Sequence, residues 1–169
     1  MQETGNNYTL YNSLTALVPL GLFDPKTARA MLVEVTDLSD EDEIGYLEVP
    51  AYDAVLVYAL PPDDGHSGNG YIPELYRLLS ASTGIDGYNR IVASWTGGRF
   101  YLVIAQGRSL QFCNSFKAED FITAEYFLFL VMNRLQLNPE VSSVFFRMPL
   151  DPAQEKSLCR YFKSVGYIE

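Results

Sequence analysis

The sequence predicts an α/β protein with a mixed sheet, and three observations from its second half support that fold class. Residues 90–116 contain three successive runs rich in aromatic and β-branched residues, which is typical of strands. Residues 118–137 then form one long, nearly all-apolar run that is typical of a buried helix. A further strand pattern and a further helix pattern follow it. Strands combined with helices in this way favour an α/β architecture.

The first two strands are expected to form a hairpin. The run 90–95 leads into Thr96-Gly97-Gly98, and a Gly-Gly pair between β-rich runs predicts a tight turn because both glycines accept a positive φ. The chain should therefore fold straight back into a second strand over 99–105.

A third strand is expected over 109–116. Its residues alternate with period two, which predicts that Leu110 and Phe112 lie on one face. Together the three strands predict an antiparallel meander.

The periodicity changes to that of a helix from Ala118 onward. Glu119 and Asp120 are expected in the first turn, where carboxylates are favoured by the positive end of the helix dipole. Apolar residues occupy every face through Met132, which predicts a central, buried helix that stops before Pro139. The side chains expected in the core are those of Phe121, Leu128, Met132 and Leu135.

A strand over 141–148 and a second helix over 152–165 complete the pattern. The resulting order β-β-β-α-β-α is the core order of the ribonuclease H-like fold, in which the strand after the long helix lies parallel to the first strand through a crossover connection. Residues 71–169 are therefore expected to form a C-terminal ribonuclease H-like subdomain, with an additional helix over 71–82.

The first third of the chain predicts a smaller subdomain over 1–62. Asp24-Pro25 is a helix start, because the aspartate caps free N–H groups and proline at the first helical position gives up no hydrogen bond. Strands are expected over 8–18, 44–49 and 54–60, the last of them central because it is continuously apolar. The acidic run 39–43 is expected to be a solvated turn.

A linker is expected over 63–70, between the two subdomains. The surrounding stretch from Pro61 to Gly70 contains two prolines, three glycines and His66, the single histidine of the chain. A histidine in such a loop is expected to be solvated rather than catalytic.

The composition excludes several classes of function. A net charge of −9, with no run of basic residues, argues against a nucleic-acid partner, because phosphate binding requires clustered lysine and arginine. The most apolar segment, 121–132, is shorter than the roughly 20 residues that a bilayer requires and contains Glu125. We therefore expect no membrane span.

The cysteines and the first residues indicate a cytoplasmic protein. Cys113 and Cys159 have no C-x-x-C spacing and no nearby histidine, so we expect two buried, reduced thiols. The sequence from Met1 to Thr4 has neither a basic region nor a following apolar region, so no secretory signal is expected.

Four pieces of the sequence resemble a known protein family. They read L-V-P-L-G-L-F-D-P (17–25), D-A-V-L-V-Y-A-L-P (53–61), N-S-F (114–116) and Y-F-L-F-L-V-M-N-R-L-Q-L-N-P (126–139). They look like a family of uncharacterised bacterial proteins grouped with the actin-like ATPase superfamily, and the resemblance runs from about residue 17 to residue 161.

The resemblance implies two ribonuclease H-like halves that face each other across a cleft, as in actin, sugar kinases and heat-shock chaperones. The C-terminal half is expected to be complete. The residues before Tyr8 are too few to supply the opening β-meander of the other half, so a partial N-terminal half is expected.

The same resemblance directs attention to the hairpin between the first two strands of the complete half. In nucleotide-binding relatives this hairpin holds phosphate through backbone N–H groups, and an aspartate that enters it manages the metal. Here the hairpin reads A-S-W-T-G-G-R-F, so Ser94 and Trp95 stand where that aspartate is expected. The segment after the fourth strand, F-F-R-M-P-L-D-P, also lacks the glycine pair of the adenosine side.

Other catalytic constellations are equally incomplete. A ribonuclease H nuclease needs carboxylates that converge on divalent metals, beginning with an acid on the first strand. Asp86, Glu119 and Asp120 lie in the right part of the chain, but none is on that strand. His66 has no serine or cysteine partner in a suitable context.

Two hypotheses follow from these patterns. The first is a non-catalytic binding or scaffolding protein on a degenerate actin-like fold, with a protein partner or self-association and with no cofactor or metal. The alternative is a nucleotide-binding ATPase or kinase-like enzyme that uses the hairpin 94–99 as its phosphate loop. In that case Thr96, Gly97 and Gly98 would cradle the phosphate, and Asp86 or Asp120 would serve the metal.

Overall fold

A computed structural model describes residues 8–11, 14–60 and 70–169. The chain divides into two compact units, Met1–Arg77 and Leu78–Glu169. The expected linker over 63–70 lies outside the described residues except for Gly70, and so does His66.

Ten strands and four α-helices are formed within the described residues. The strands are β1 (Tyr8–Leu10), β2 (Thr15–Pro19), β3 (Glu43–Val49), β4 (Ala54–Leu60), β5 (Tyr71–Pro73), β6 (Asn89–Thr96), β7 (Arg99–Gln106), β8 (Ser109–Lys117), β9 (Ser143–Phe146) and β10 (Ser164–Tyr167). The helices are α1 (Ala28–Val33), α2 (Glu74–Ser82), α3 (Phe121–Arg134) and α4 (Pro152–Cys159).

The first unit contains an antiparallel sheet in the order β2-β4-β3 and a parallel pair, β1 and β5. Every residue of β4 is buried, so the prediction of a central strand is confirmed. Helix α1 places Ala28 and Leu32 against Val55 and Val57 of that strand. Asp24 caps a helical turn as expected, because its carboxylate accepts a hydrogen bond from the N–H of Lys26 at 2.9 Å, but residues 25–27 form a 3-10 turn and α1 begins only at Ala28.

The acidic run 39–43 lies in the turn that leads into β3. The Ser39 N–H donates to the Asp42 carboxylate at 2.9 Å, and the Arg29 guanidinium donates to the backbone oxygens of Ser39 and Asp42. The turn is thus held by a hydrogen bond within it and by hydrogen bonds from Arg29 of α1.

The second unit contains the expected ribonuclease H-like sheet, in the order β10-β9-β6-β7-β8. Strands β6, β7 and β8 form the antiparallel meander, and β9 returns through α3 to lie parallel to β6. Strand β10 then lies parallel to β9 on its other side. The fold class predicted from the order of elements is therefore confirmed.

The core of the second unit lies between this sheet and helices α3 and α4. On the sheet side its fully buried side chains come from alternate positions of β6, β7 and β9, as the pleat of a strand requires, and on the other side they come from α3 and α4. They include Ile91, Ala93, Phe100, Leu102, Ile104, Leu128, Met132, Val144, Phe146 and Leu158. Of the four side chains predicted to be buried on α3, Leu128 and Met132 are fully buried, and Phe121 and Leu135 pack against the core while partly exposed.

Two predicted helices are shorter than expected, because each gives up residues to a strand. Residues 71–73 form β5, so α2 begins at Glu74. The last helix ends at Cys159, and residues 164–167 form β10 instead of continuing the helix. Gly166 permits this pairing, since a Cβ there would lie 2.7 Å from the Phe145 ring on β9.

The prediction that Leu110 and Phe112 share a face of β8 is wrong. Phe112 pairs with Ile104, but the register shifts at the next position of β7, where Ala105 pairs with Leu110. This β-bulge moves Leu110 to the other face of the strand. Phe112 packs against the core together with Phe116.

Helix α3 is not buried on every face, contrary to the sequence prediction. Ile122 is 78% exposed and Tyr126 is 61% exposed, although both lie in the most apolar segment of the chain. The helix also begins at Phe121, three residues later than predicted, because Asp120 is the N-cap and neither Glu119 nor Asp120 is part of the first turn. Cys159 is exposed too and Cys113 is half-buried, so the prediction of two buried thiols is wrong for Cys159. No helix in the described part of the chain is long and apolar enough to cross a bilayer.

Candidate functional site

The hairpin between β6 and β7 has the geometry that the sequence predicts. Thr96 pairs with Arg99, which leaves Gly97 and Gly98 as a two-residue turn. Their φ angles are 60° and 77°, in the left-handed region that favours glycine. A Cβ on either glycine would meet no atom within 4 Å, so the tip of the turn is open to solvent.

The base of this hairpin is occupied by Trp95. Its indole Nε1–H donates to the backbone oxygen of Ala118 at 2.8 Å, and its ring contacts the ring of Phe121 edge-on, with centroids 5.7 Å apart. The Ala118 N–H in turn donates to the Gly98 oxygen at 2.8 Å. These contacts fasten the hairpin to the segment that leads into α3.

The segment after β9 also packs against the hairpin. The backbone N–H of Trp95 donates to Met148 Sδ at 3.1 Å, and the N–H of Arg147 donates to the Ala93 oxygen at 3.0 Å. The resemblance implies a glycine pair in this segment for a protein that binds adenosine. Here a methionine side chain lies against the backbone of the hairpin.

The two residues that replace the expected aspartate point to opposite sides of the sheet. Trp95 packs against the core that α3 covers, and Ser94 lies on the other face, 2% exposed and paired in register with Tyr101. Neither side chain is an anionic metal ligand. These two residues therefore supply no carboxylate to bind a metal ion.

Asp86 lies too far from the hairpin turn to serve it. It precedes β6, at the opposite end of a strand of eight residues, which corresponds to about 25 Å at roughly 3.3 Å per residue. There it lines a cavity of about 340 Å³ together with Asn89, Ser143 and Lys163. Asp86 and the glycines of the turn therefore belong to different regions of the second unit.

Asp120 and Glu119 lie near the hairpin, because both follow Ala118. The Asp120 carboxylate caps α3 and accepts the Thr123 N–H at 2.7 Å, and this hydrogen bond lowers the pKa of the carboxyl group. Glu119 pairs with Lys117 at 3.5 Å, and both side chains are more than three-quarters exposed. Each acid thus has a partner of its own.

The structure shows no cluster of three or more histidine, cysteine, aspartate or glutamate side chains that could hold a metal ion within residues 8–11, 14–60 and 70–169. The sequence-predicted cradle of Thr96, Gly97 and Gly98 is brought together as a turn. Of the two candidate acids, the structure brings Asp120 near that turn and leaves Asp86 distant.

A second surface, which the sequence did not predict, lies between β8 and α3. It is a groove of about 320 Å³ whose walls are apolar apart from one arginine. The groove is lined by Phe112, Phe116, Leu130, Val131, Arg134 and Leu135.

The aromatic wall of this groove is ordered by stacking. Phe116 stacks on Phe127 of α3, with centroids 4.4 Å apart and planes within 6°, and Phe112 stacks on Phe116 at 5.9 Å. Tyr126 contacts Phe127 edge-on at 5.5 Å and extends the apolar surface onto the exposed side of the helix. The only sequence signal for this exposed side is the spacing of Ile122 and Tyr126, four residues apart, which puts them on neighbouring turns of one face.

Comparison with known proteins agrees with the fold. A solved structure from Bacteroides thetaiotaomicron VPI-5482, described as a protein with actin-like ATPase fold and unknown function, superposes with a TM-score of 0.75 at 14% sequence identity. The superposition covers 96% of this chain and 67% of that one. The chain therefore has the actin-like ATPase fold that the resemblance implied. No curated protein sequence matches it significantly.

A protein-family model provides the other match. The model is described as "Protein of unknown function (DUF3822)", and it matches residues 70–164, which include α2 and nearly all of the second unit. This range is more than half of the chain of 169 residues. The chain thus belongs to the DUF3822 family.

Proposed function

We propose that this protein is a non-catalytic binding or scaffolding protein on a degenerate actin-like fold, which acts through a protein partner or through self-association. The proposal rests on what occupies the base of the β6–β7 hairpin. Its base is occupied by the Trp95 side chain, which is hydrogen bonded to Ala118 and packed on Phe121. A phosphate loop requires that space and a metal-binding carboxylate beside it.

The electrostatics support the same proposal. Phosphoryl transfer depends on neutralising the negative charge of the phosphates, and a metal ion supplies most of that neutralisation. Ser94 and Trp95 carry no negative charge with which to hold the metal, and the net charge of −9 repels a polyphosphate. A fold that keeps its core and lacks these groups is better suited to binding than to catalysis.

One observation favours the alternative, a nucleotide-binding ATPase or kinase-like enzyme. The tip of the hairpin is open, since a Cβ at Gly97 or Gly98 would meet nothing within 4 Å. Backbone donors at Thr96, Gly97 and Gly98 could hold a phosphate group there, with Asp120 on the adjoining segment. That arrangement would bind an anion at the tip, away from the base that Trp95 occupies.

Calorimetric titration of the protein with ATP and magnesium, followed by a phosphate-release assay, separates the two functions. We expect no heat of binding at protein concentrations suited to micromolar affinity and no release of phosphate above background. Micromolar binding with phosphate release that is lost in Gly97→Ala would overturn the proposal. Gly107→Ala is the control for backbone strain, because Gly107 has a φ of 56° in the turn between β7 and β8; its added methyl group would also lie 3.1 Å from the Tyr88 ring, so the control is at least as disruptive as Gly97→Ala.

A further inference from the structure

We propose that β8 and the groove beside it bind an extended, acidic peptide segment of a partner protein, which adds to β8 as a further strand of the sheet. This inference rests on the proposed function as a binding protein and names the surface and the chemistry of the partner. Four features of the second unit carry it: an edge strand, an adjoining groove, an arginine that forms no ion pair within the described part of the chain, and the local balance of charge.

The edge strand is β8, nine residues long, which pairs with β7 on one side. Among the strands of the described residues none pairs with its other side. In an antiparallel pair, alternate residues direct their N–H and C=O groups away from the partner, so such a strand presents a row of hydrogen-bonding groups to solvent. One of its donors, the Ser115 N–H, is covered by the Asn114 side-chain oxygen at 2.8 Å, which a bound strand would displace.

The groove lies where alternate side chains of an added strand would point. Phe112 and Phe116 both face the side of the sheet that α3 covers, and the groove runs between them and the helix. An added strand continues the pleat of its neighbour, so every second side chain of the peptide enters this space. Peptides that extend a sheet gain affinity from main-chain hydrogen bonds and specificity from such pockets.

The groove is also preformed. The stacked rings of Phe112, Phe116 and Phe127 hold its aromatic wall in one geometry, so little conformational entropy is lost when a side chain fills it. Its volume of about 320 Å³ is at the lower end of the range for ligand pockets, which suits one or two apolar side chains.

The charge of the partner follows from Arg134. This arginine lines the groove at the end of α3, is exposed, and forms no ion pair with the residues that the structure describes. Arg108 precedes β8 and Lys117 ends it, so cationic residues lie at both ends of the edge strand. A carboxylate on the peptide would find a charge partner at Arg134 or at Arg108, whereas Lys117 already pairs with Glu119 at 3.5 Å.

The rest of the chain has the opposite balance. Residues 99–135 contain four basic and three acidic residues, whereas the whole chain contains 12 and 21. A second copy of this chain would bring the same Arg108 and Arg134 to the interface, and its own β8 contains no carboxylate to oppose them. Charge therefore favours an acidic peptide over a second copy.

Fluorescence anisotropy with synthetic peptides tests the proposal. The probe is a fluorescein-labelled peptide of about seven residues, the length of an ordinary strand, in which glutamate alternates with valine or phenylalanine. One control peptide has lysine in place of every glutamate. A second keeps the glutamates but carries N-methyl groups on alternate backbone nitrogens, which removes the main-chain donors that would pair with β8.

We expect saturable binding of the glutamate peptide, weaker binding of the lysine peptide, and loss of binding on N-methylation. Arg134→Glu should weaken the glutamate peptide by about tenfold or more, since reversing the charge replaces attraction with repulsion. Arg160→Glu is the matched control, because Arg160 is an exposed arginine at the end of α4 in the same unit, and it should leave the affinity unchanged. Hydrogen exchange should show new protection of amides in 109–117 when the peptide is present.

Equal affinity for the glutamate and lysine peptides, or equal loss of affinity in both arginine variants, would overturn the proposal. Absence of binding at millimolar peptide would do the same. Light scattering that gives a dimer, with the amides of β8 protected before peptide is added, would instead assign the surface to a second copy. These failures leave the proposed function standing, whereas binding and hydrolysis of ATP would overturn that function itself.

Discussion

Replacing Leu128 with alanine should destabilise the second unit strongly. The Leu128 side chain is 1% exposed and belongs to the core cluster between α3 and the five-stranded sheet. Removal of a fully buried leucine side chain loses its transfer free energy and leaves a cavity, which together cost about 2–5 kcal/mol. With an m-value of about 1–3 kcal/mol/M, a loss of about 3 kcal/mol lowers the urea midpoint by about 1–3 M.

The assay is urea denaturation followed by tryptophan fluorescence. Trp95 is the single tryptophan of the chain, and its ring contacts Phe121 of the same helix, so its emission reports on the unit that contains Leu128. This holds even if the first unit unfolds in a separate transition.

The matched control is Ile122→Ala. Ile122 lies on the same helix but is 78% exposed, and alanine has the higher helix propensity, so the midpoint should change by less than the equivalent of about 0.5 kcal/mol. An unchanged midpoint in Leu128→Ala, or an equal fall in both variants, would refute the assignment of the core to the inner face of α3.

Three further predictions concern thiols, backbone strain and helix capping. Cys159 is exposed and should react with a thiol reagent in the native protein at pH 8, whereas Cys113, which is half-buried and whose pKa burial raises to about 12, should react much more slowly until the protein unfolds. The folded state holds the Cys113 proton more tightly than the unfolded state does. The contribution of Cys113 to stability is therefore complete below the ordinary thiol pKa and is lost as pH rises toward 12. A fall in the urea midpoint over this pH range that is absent in Cys113→Ala would demonstrate it. Gly98→Ala places a methyl group at a φ of 77° and should cost about 1–2 kcal/mol without any clash, measured by the same denaturation and contradicted by an unchanged midpoint. Asp120→Ala removes the cap of α3 and should lower stability at neutral pH. Since the hydrogen bond lowers the pKa of Asp120, the contribution of the cap is present above the ordinary aspartate pKa and is lost as pH falls through the lower, folded-state value. The difference in stability between wild type and variant should therefore vanish in acid.

Local rules of the chain were sufficient for its turns, caps and strand order. Gly97 and Gly98 predict the hairpin because few residues other than glycine accept consecutive positive φ angles, and the structure has that turn. Asp24 predicts a helix start for an equally local reason, a carboxylate within reach of free N–H groups. The order of the elements in the second half was then enough to predict a ribonuclease H-like sheet.

Elements whose stability comes from a distant partner were missed. Strand β10 has four residues and pairs with β9, about twenty positions earlier in the chain. Strand β5 has three and pairs with β1, more than sixty positions earlier. Such short segments lack a periodicity of their own, so helix-like spacing in the neighbouring residues was extended over them.

The exposure of α3 could not be read from its composition. A helix that is apolar on every face is predicted to be buried on every face, but burial depends on which neighbours the fold supplies. Neighbours cover the side of Leu128 and leave Ile122 and Tyr126 in solvent. The lining of the apolar groove beside β8 likewise comes from two elements, β8 and α3, that only the tertiary structure brings together.

The candidate site divides in the same way. The sequence by itself determined that Ser94 and Trp95, neither of them a carboxylate, stand where the resemblance implies a metal-binding aspartate. Distance decided the rest: Asp86 lies at the far end of β6 from the glycine turn, whereas Asp120 lies beside it because Ala118 hydrogen bonds to Gly98. Tertiary packing also placed the Trp95 indole against Ala118 and Phe121, because an apolar ring with one N–H donor is stable where the core and a free backbone carbonyl meet.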